Sequence, residues 1–486
     1  MRRASALVAL IPVLAAAGAC ATAAPVAVPD IGVPVPPTWT AADSPAGRIT
    51  ADWWKDFGDN GLDAAVEAAL TGNFDLQAAA FRLEIAASDA RTARAELFPS
   101  SDASYTGARQ RQNFVGFPIP GAEDEVLSTI FTNHGVSLDV SWEIDLWGRL
   151  RAATQVVLAD LQASAADLRA TQLSMAGQTA KAWFAVAEAQ QQIELSRTTV
   201  ESFRESAERV RGRFEAGIRP PLDLRLALLN LSNAEALLQQ RRQQFDSAAR
   251  QLKVLLGEYA DDAIAMPLDL PDLTADVPAG LPAQLVSRRP DLVAAERRLA
   301  SFEARVGVAQ TNRFPNLTLT ARGGTATDAL KSLVNGDFSV WALLANVTAP
   351  IWQGGRLREE VTRAEAQSAE ALATFANTAL TAYAEVETAL AAEAILLERE
   401  QQLAASVEHA QGAARLAYER YLTGIDNYIT VLESQRSAAQ AEGELIAARR
   451  LRLENRVDLY LALGGGFEQL RSPVELIAVG DAGDQQ

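Results

Sequence analysis

Cysteine and histidine are almost missing from this sequence. Cys20 is the only cysteine among 486 residues, and neither of the two histidines, His134 and His409, has ligand-like spacing around it. The chain also lacks a Walker or Rossmann glycine loop and a G-x-S-x-G nucleophile elbow. These absences exclude an intramolecular disulfide, and we predict no metal site, no bound cofactor and no enzymatic activity.

Positive charge is scarce as well. The chain has 44 Lys and Arg against 61 Asp and Glu, and loss of Arg2 and Arg3 with a cleaved signal would change the net charge from −17 to −19. A protein this acidic repels a phosphate backbone. The composition therefore argues against nucleic acid as a partner.

The N-terminus has the layout of an export signal. Arg2 and Arg3 precede an apolar run at residues 7–17, too short to cross a membrane, and small residues lead to Cys20. This order resembles a bacterial lipoprotein signal of residues 1–19, which implies a covalent lipid on Cys20. By the same resemblance, Ala21 in place of aspartate favours the outer membrane over the inner one. The alternative is an ordinary cleaved signal peptide followed by an incidental cysteine.

Landmark residues of the first half recur in the second half in the same order. The Phe-Pro pair at 98–99 returns 216 residues later, whereas three landmark glycines each return 207 residues later. The second half is therefore nine residues shorter between its Phe-Pro pair and its first landmark glycine. A period of about two hundred residues indicates a duplicated structural unit. The glycine pairs are Gly148 and Gly355, Gly217 and Gly424, and Gly257 and Gly464.

Hydrophobic periodicity predicts the same element order in both repeats: a helix, two strands, a long helix and a second helix. The fold class is therefore mainly α with a β contribution. The predicted domains are a signal (1–19), an extended lipid-anchored tether (20–60), a first repeat (61–257), a Pro-rich linker (258–290), a second repeat (291–464) and a C-terminal tail (465–486). The predicted helices are 61–97, 149–214, 222–256, 291–313, 356–421 and 427–463, and the strands are about 100–111, 135–145, 316–324 and 340–351, with a long loop at 112–134.

The long helices of the first repeat carry apolar residues every seven positions, which is typical of a coiled coil. One seam runs from Val186 to Phe214 and the other from Leu224 to Leu252. A helix of about 65 residues would be roughly 100 Å long, several times the thickness of a bilayer core. Helices of this length predict an extended assembly.

The second predicted strand alternates between apolar and polar side chains, as a transmembrane β-strand does. Four such strands have unpaired edges and cannot cross lipid alone, so other copies would have to complete the sheet. The alternative is half of a soluble β-sandwich. The predicted lipid face consists of Val136, Leu138, Val140, Trp142 and Ile144.

Six segments carry a combined signature: 53–57 (WWKDF), 72–76 (GNFDL), 287–292 (SRRPDL), 313–317 (RFPNL), 352–356 (WQGGR) and 420–428 (RYLTGIDNY). Together they resemble the TolC-like outer-membrane efflux lipoproteins of the OprM/NodT type, over about residues 45–467. The resemblance implies a homotrimer in which a shared twelve-stranded outer-membrane β-barrel continues into a long periplasmic α-helical barrel. It also implies a passive exit duct for drugs or other small toxic compounds. The implied partners are a periplasmic adaptor (membrane fusion protein), an inner-membrane RND-type transporter and outer-membrane lipid.

The resemblance also implies a periplasmic gate after the second helix tip. Ile429 matches an apolar ring and Glu433 an acidic ring, Arg436 is close enough along the helix to reach Glu433, and Tyr421 adjoins them. The alternative is a solvated surface pair of the kind that contributes little.

The two helix tips are implied as docking sites for the adaptor. The alternative is that a helical hairpin needs a glycine turn for structural reasons alone. Asp223, just past the first tip, either caps its helix or pairs with an arginine. The implied docking residues are Gly217, Arg219, Pro220, Thr423, Gly424 and Ile425.

The sequence has two rival classes of protein and one rival function within the channel class. A periplasmic adaptor should carry lipoyl-like and β-barrel segments around one hairpin, whereas here the hairpins come twice with amphipathic strands between them. A surface-anchored enzyme would need a cluster of catalytic residues. The outer-membrane component of a type I protein secretion system shares the predicted architecture and is the main alternative function.

Overall fold

The computed structural model describes residues 34–41, 49–114, 127–260, 270–273, 277–280 and 282–466. The signal, Cys20 and the tail from residue 467 lie outside the described residues. Within the described ranges, no helix is both long and apolar enough to span a bilayer.

The described elements follow the predicted duplication. Each repeat begins with a pair of shorter helices, continues with two strands and ends with a long helical hairpin. The first repeat comprises α1 (Asn60–Gly72), α2 (Phe74–Ala95), β1 (Ser100–Phe114), β2 (Leu127–Ile144), α3 (Arg149–Glu215) and α4 (Pro221–Leu256). The second comprises α5 (Pro282–Arg288), α6 (Pro290–Thr311), β3 (Asn316–Thr327), β4 (Ser339–Thr348), α7 (Arg356–Leu422) and α8 (Tyr428–Ala462).

The long helices lie side by side in a fixed lateral order. α3 and α7 each contain 67 residues and are therefore roughly 100 Å long. α3 packs against α4 on one side and α8 on the other, while α7 packs against α8 and α6. The order across the rod is thus α4, α3, α8, α7, which leaves α4 and α7 at its two outer edges.

The first predicted helix, 61–97, is wrong as one continuous element because it breaks at Asn73. The Asn73 Oδ1 atom accepts hydrogen bonds from the N–H groups of Asp75 and Leu76, at 2.8 and 3.3 Å, and so caps α2. The Asn73 Nδ2 atom donates to the Leu255 carbonyl at the end of α4, at 3.0 Å. The side chain therefore both starts a new helix and ties it to the hairpin.

The predicted tether, 20–60, is wrong where the structure describes it, because its aromatic residues are buried in the main core. A 3₁₀ turn at Trp53–Phe57 places Trp53 against Tyr460, with ring centroids 5.0 Å apart, and Phe57 against Phe184, at 5.1 Å. Trp39 is also buried and donates from Nε1 to the Gly280 carbonyl at 3.0 Å. Burying these large aromatic side chains contributes free energy that favours an ordered segment.

The four strands form one antiparallel sheet in the order β1-β2-β3-β4. β1 and β2 are longer than predicted, so the loop prediction of 112–134 is wrong: strand pairing runs to Phe114 and resumes at Leu127. The last strand ends at Thr348 rather than at 351. In the single chain the outer edges of β1 and β4 are unpaired, since each pairs with one neighbour in the described sheet.

The strand register collects apolar side chains on one face of the sheet. Trp142 is opposite Leu319, which is opposite Ala345, and Ile144 is opposite Leu317. On this face Val136 and Leu138 are exposed, and Val140, Trp142 and Ile144 are half-buried. The other face is polar, with an ion pair between Asp139 and Arg322. The described residues form no second sheet over the apolar face, so they do not support the sandwich alternative.

Candidate functional site

Both hairpin tips turn through a glycine in the left-handed conformation. The φ angle is +71° at Gly217 and +81° at Gly424. In each turn the glycine N–H donates to the carbonyl three residues back, at 2.9 Å in the first turn and 3.1 Å in the second. The N–H of the next residue donates to the carbonyl five residues back, at 2.9 and 3.0 Å. This closes the ends of α3 and α7 with their last carbonyls satisfied. Ile218 and Ile425, which follow the two glycines, are exposed.

The helices that leave the two tips start differently. α4 starts with Pro220 at the N-cap and Pro221 in the first turn, with no side-chain cap. α8 starts with Asn427, whose Oδ1 atom accepts from the Thr430 N–H at 3.1 Å. Asp223 neither caps α4 nor pairs with an arginine among the described residues, so both options considered for it are wrong.

The second tip is further braced by charge. The Arg420 Nε atom is 2.7 Å from Asp426 Oδ2 across the turn, and the guanidinium holds the pKa of Asp426 below its ordinary value. The Thr423 hydroxyl donates to the Arg420 carbonyl at 2.9 Å. Both contacts lie at the exposed end of the hairpin and shape its outer surface.

A buried cluster, here called the tip cluster, joins the two hairpins. The rings of Tyr421 and Tyr428 are 5.3 Å apart, and the Tyr428 hydroxyl is 2.9 Å from the Ser206 hydroxyl on α3. Arg213 and Arg219 place their guanidinium groups 5.2 and 4.7 Å from the centre of the Tyr421 ring. Burial raises the pKa of both tyrosines. Arg219, predicted as a docking residue, thus packs onto the second tip, and Tyr421, predicted as a gate residue, is buried inside the cluster.

The other three predicted gate residues share one surface. Ile429, Glu433 and Arg436 line a groove of about 780 Å³ between α8 and α4, with α3 at its base. All three are exposed. Among the described residues, no ion pair within 4.0 Å joins Glu433 to Arg436, so the expected pair does not form within one chain. Both charged side chains are therefore available to groups outside the chain.

Sequence reasoning missed the opposite wall of this groove. Leu226, Leu229 and Leu237 of α4 line it, next to Arg241. The signal was present, because α4 has leucines beside those of its heptad seam and is therefore apolar on more than one face. The Ser206–Tyr428 contact had no sequence signal, since it joins residues 222 positions apart.

The part of the chain that the structure describes has no cluster of metal-ligating side chains, at this site or elsewhere. No group of three or more His, Cys, Asp or Glu side chains there could hold a metal ion. His134 instead contacts the Tyr105 hydroxyl through Nδ1, at 2.9 Å.

Comparison with known proteins matches both repeats of the chain. The family model described as outer membrane efflux protein matches residues 65–258 and 281–465. The chain is 33% identical to the outer membrane protein OprJ of Pseudomonas aeruginosa over 464 residues, covering 94% of this chain and 95% of OprJ. It is 32% identical to the probable efflux pump outer membrane protein TtgC of Pseudomonas putida, covering 85% of each chain.

The fold is also similar to a solved structure, the CmeC outer membrane channel of Campylobacter jejuni. The TM-score is 0.83 at 26% identity, covering 93% of this chain and 97% of CmeC. The family model covers well over half of the chain, and the curated relatives exceed 30% identity over most of their length. The chain therefore belongs to the outer membrane efflux protein family.

Proposed function

We propose that three copies of this chain form the passive exit duct of a tripartite efflux system in the outer membrane. The observation that carries the proposal is the four-stranded sheet, which has an apolar face across β2, β3 and β4 and two unpaired edges and is joined to helices roughly 100 Å long. A lone sheet cannot cross lipid, because its edge N–H and C=O groups would have no partners there. Three copies would supply twelve strands and close the barrel.

The helical part supports the same assembly. α4 and α7 form the outer edges of the single chain, and α7 has exposed apolar side chains such as Leu380 and Ile395. Contact between α7 of one copy and α4 of the next would cover these edges and close a helical barrel. The rod would then extend the duct into the periplasm, with the two tips at its far end.

The tips are the surfaces that we propose for a periplasmic adaptor, which would link the duct to an inner-membrane transporter of the RND type. Ile218, Thr423, Gly424 and Ile425 are exposed there. The names of the relatives, an efflux pump component among them, favour efflux over protein secretion. Cys20, outside the described residues, would carry the lipid anchor, and the cargo would be drugs or other small toxic compounds.

We place the gate of this duct at Ile429, Glu433 and Arg436. In a trimer Glu433 would recur three times around the axis, and two carboxylates about 6 Å apart repel by roughly 3 kcal/mol at an effective dielectric constant of 20. Because Arg436 forms no ion pair with Glu433 in its own chain, it is available to offset that repulsion across copies. Ile429 would form an apolar constriction next to the charged ring.

Single-channel recording in planar bilayers tests both the duct and the gate. Wild-type protein should conduct ions without any energy source, and Glu433→Ala or Arg436→Ala should raise the conductance, more so at low salt where screening is weak. Ile429→Ala should raise it with little salt dependence. Glu398→Ala, at an exposed position of α7, is the matched control and should have no effect.

The two parts of this proposal fail separately. Wild-type protein that inserts into the bilayer yet never conducts would contradict the duct. Normal conductance that stays at the wild-type level in all three gate variants would retain the duct and place its gate elsewhere.

A further inference from the structure

The seam between α7 and α8 is charged where a coiled-coil seam is normally apolar. Arg456 Nη2 on α8 is 2.5 Å from Glu393 Oε1 on α7, and Arg452 Nη1 is 2.9 Å from Glu400 Oε2. Asn455 Nδ2 adds a hydrogen bond to Glu393 Oε2 at 3.1 Å. The side chains of Glu393, Arg452 and Arg456 are 22%, 16% and 6% exposed, so these are largely buried pairs. We call Glu393, Glu400, Arg452 and Arg456 the charged seam.

The first repeat has apolar residues at the same four positions. The two hairpins align without a gap at the 207-residue spacing, so each residue of the charged seam has one equivalent. Those equivalents belong to the α3–α4 seam, where Val186, Ile193 and Ala249 are buried and Phe245 packs against the same cores. The equivalent pairs are Val186 and Glu393, Ile193 and Glu400, Phe245 and Arg452, and Ala249 and Arg456.

Stability alone does not account for the exchange of apolar residues for ions. Removing two charges from water carries a large desolvation penalty, and apolar replacements of buried pairs are often neutral or stabilising. The charges do change the energy of wrong pairings. If α7 packed against α4 in the same register, Glu393 would face Phe245 and Ala249 and would be largely buried without a countercharge. Glu400 would keep one arginine, Arg242, which is the equivalent of its second partner Arg449.

A wrong pairing of this kind is geometrically possible in a duplicated chain. α4 and α8 are 36 and 35 residues long and occupy the same place in their repeats. Shared length and heptad spacing make either helix a geometrically possible partner for α7. In the trimer proposed above, α7 would also lie near α4 of the next copy, although the competition within one chain does not depend on that assembly.

We propose that the charged seam selects α8 over α4 as the seam partner of α7, and so keeps the two hairpins of the duplicated chain from exchanging helices. The selection works through the free-energy penalty of burying an unpaired carboxylate in the α7–α4 pair. At the positions of Arg452 and Arg456, α4 has Phe245 and Ala249, so it offers no arginine to Glu393 and only Arg242 to Glu400.

Engineered disulfides can report which helix pairs with α7. Gln411 Nε2 on α7 is 2.5 Å from Glu442 Oε1 on α8, and the equivalent residues of the first hairpin, Arg204 and Glu235, also touch, at 3.2 Å. In full-length protein carrying Cys20→Ser, Gln411→Cys with Glu442→Cys reports the α7–α8 pair. Gln411→Cys with Glu235→Cys reports an α7–α4 pair. Non-reducing gels separate links within a chain from links between copies.

The decisive variant gives the second hairpin the seam of the first: Glu393→Val, Glu400→Ile, Arg452→Phe and Arg456→Ala. After refolding from denaturant, the original seam should give an intrachain α7–α4 link at least tenfold rarer than the α7–α8 link. The apolar seam should raise the α7–α4 fraction at least fivefold, while the melting temperature stays equal or rises. An unchanged ratio of the two links would overturn the proposal and leave the ions a merely structural role.

Charge reversal provides a second test if the fourfold variant does not fold. Glu393→Arg alone would face Arg452 and Arg456, and should lower the α7–α8 link severalfold. Adding Arg456→Glu should restore at least half of the loss. If the yield of the α7–α8 disulfide is the same with and without Arg456→Glu, the proposal is also overturned, because selection by the charged seam depends on opposite charges facing each other.

Discussion

The two longest helices, α3 and α7, have the same length and the same place in their repeats but very different surroundings. α3 has 25 buried residues along its 67, whereas α7 has 10. The difference follows from lateral order, since α3 lies between α4 and α8 while α7 lies at an edge. Duplication therefore reproduced the helix but not its environment.

The sequence of α7 reflects its edge position. Ile395 is 66% exposed and Leu416 is 56% exposed, so apolar side chains on this helix lack partners within the described chain. Contiguous exposed apolar surface on a folded protein marks an interaction site. The contrast with α3 supports the proposal that other copies of the chain cover α7.

The largest expected effect on stability tests the difference in burial between α3 and α7. Phe184 on α3 is fully buried against Phe57, so Phe184→Ala should lower the free energy of unfolding by about 3–5 kcal/mol. Ile395→Ala on α7 is the matched change and should cost no more than about 0.5 kcal/mol when the chains are separate. Denaturant titrations followed by circular dichroism measure both. Equal losses would mean that the difference in burial has no energetic counterpart.

A smaller effect should separate the two tips. Asn427→Ala removes the cap of α8 and should reduce local stability at the second tip by about 1 kcal/mol. Pro220→Ala at the first tip removes no side-chain cap and should change local stability by less than about 0.5 kcal/mol. Amide hydrogen exchange in the first turns of α8 and α4 gives the comparison. Faster exchange at both tips to the same extent would show that the caps do not distinguish them.

The smallest effect concerns a position where α3 has Ala180 in the core and α7 has Glu387. The Glu387 carboxylate accepts from Thr40 N and Oγ1, both at 2.9 Å, and from Ala41 N at 2.8 Å. Partial burial raises its pKa, but the hydrogen bonds outweigh burial and the net pKa is lowered. A lowered folded-state pKa means that this contact stabilises the protein above the pKa of the unfolded chain and weakens as pH falls through the folded value.

Segment 34–41 should accordingly loosen at about pH 4 and below. The part of tryptophan emission that Trp39→Phe abolishes reports this change, because Trp39 is buried in the same segment. In Glu387→Gln that pH dependence should vanish, while Glu370→Gln, at an exposed position of α7, should retain it. If the Trp39 emission has the same pH dependence in Glu387→Gln as in wild type, this carboxylate is not the pH-sensitive contact.

The sequence was sufficient for the parts of the fold that rest on periodicity and on landmark residues. Long heptad runs predicted α3 and α4, and the glycines at 217 and 424 predicted both tips to within a few residues. The family resemblance is confirmed by the match of both repeats. Strict alternation at 136–144 predicts β2, whereas residues 127–134 of the same strand are less regular in pattern and were therefore predicted to be loop.

The errors arose where tertiary contacts override local pattern. Asn73 interrupts a helical pattern because its amide reaches Leu255, a contact that local sequence does not encode. The proline content of residues 20–60 predicts an extended tether, but the tryptophans of its described part pack into a core that includes residues of α3, α7 and α8. The assignment of Ile429, Glu433 and Arg436 to a gate stays a prediction, because a gate belongs to an assembly and the structure describes one chain.

The most direct test of the account is the number of chains in the detergent-solubilised particle, measured by native mass spectrometry. The unpaired edges of β1 and β4 and the exposed face of α7 predict three chains per particle. Ile395→Glu should shift the distribution toward single chains without loss of helical content. A wild-type particle that remains a single chain at all concentrations would contradict the central claim that other copies complete the sheet and cover α7.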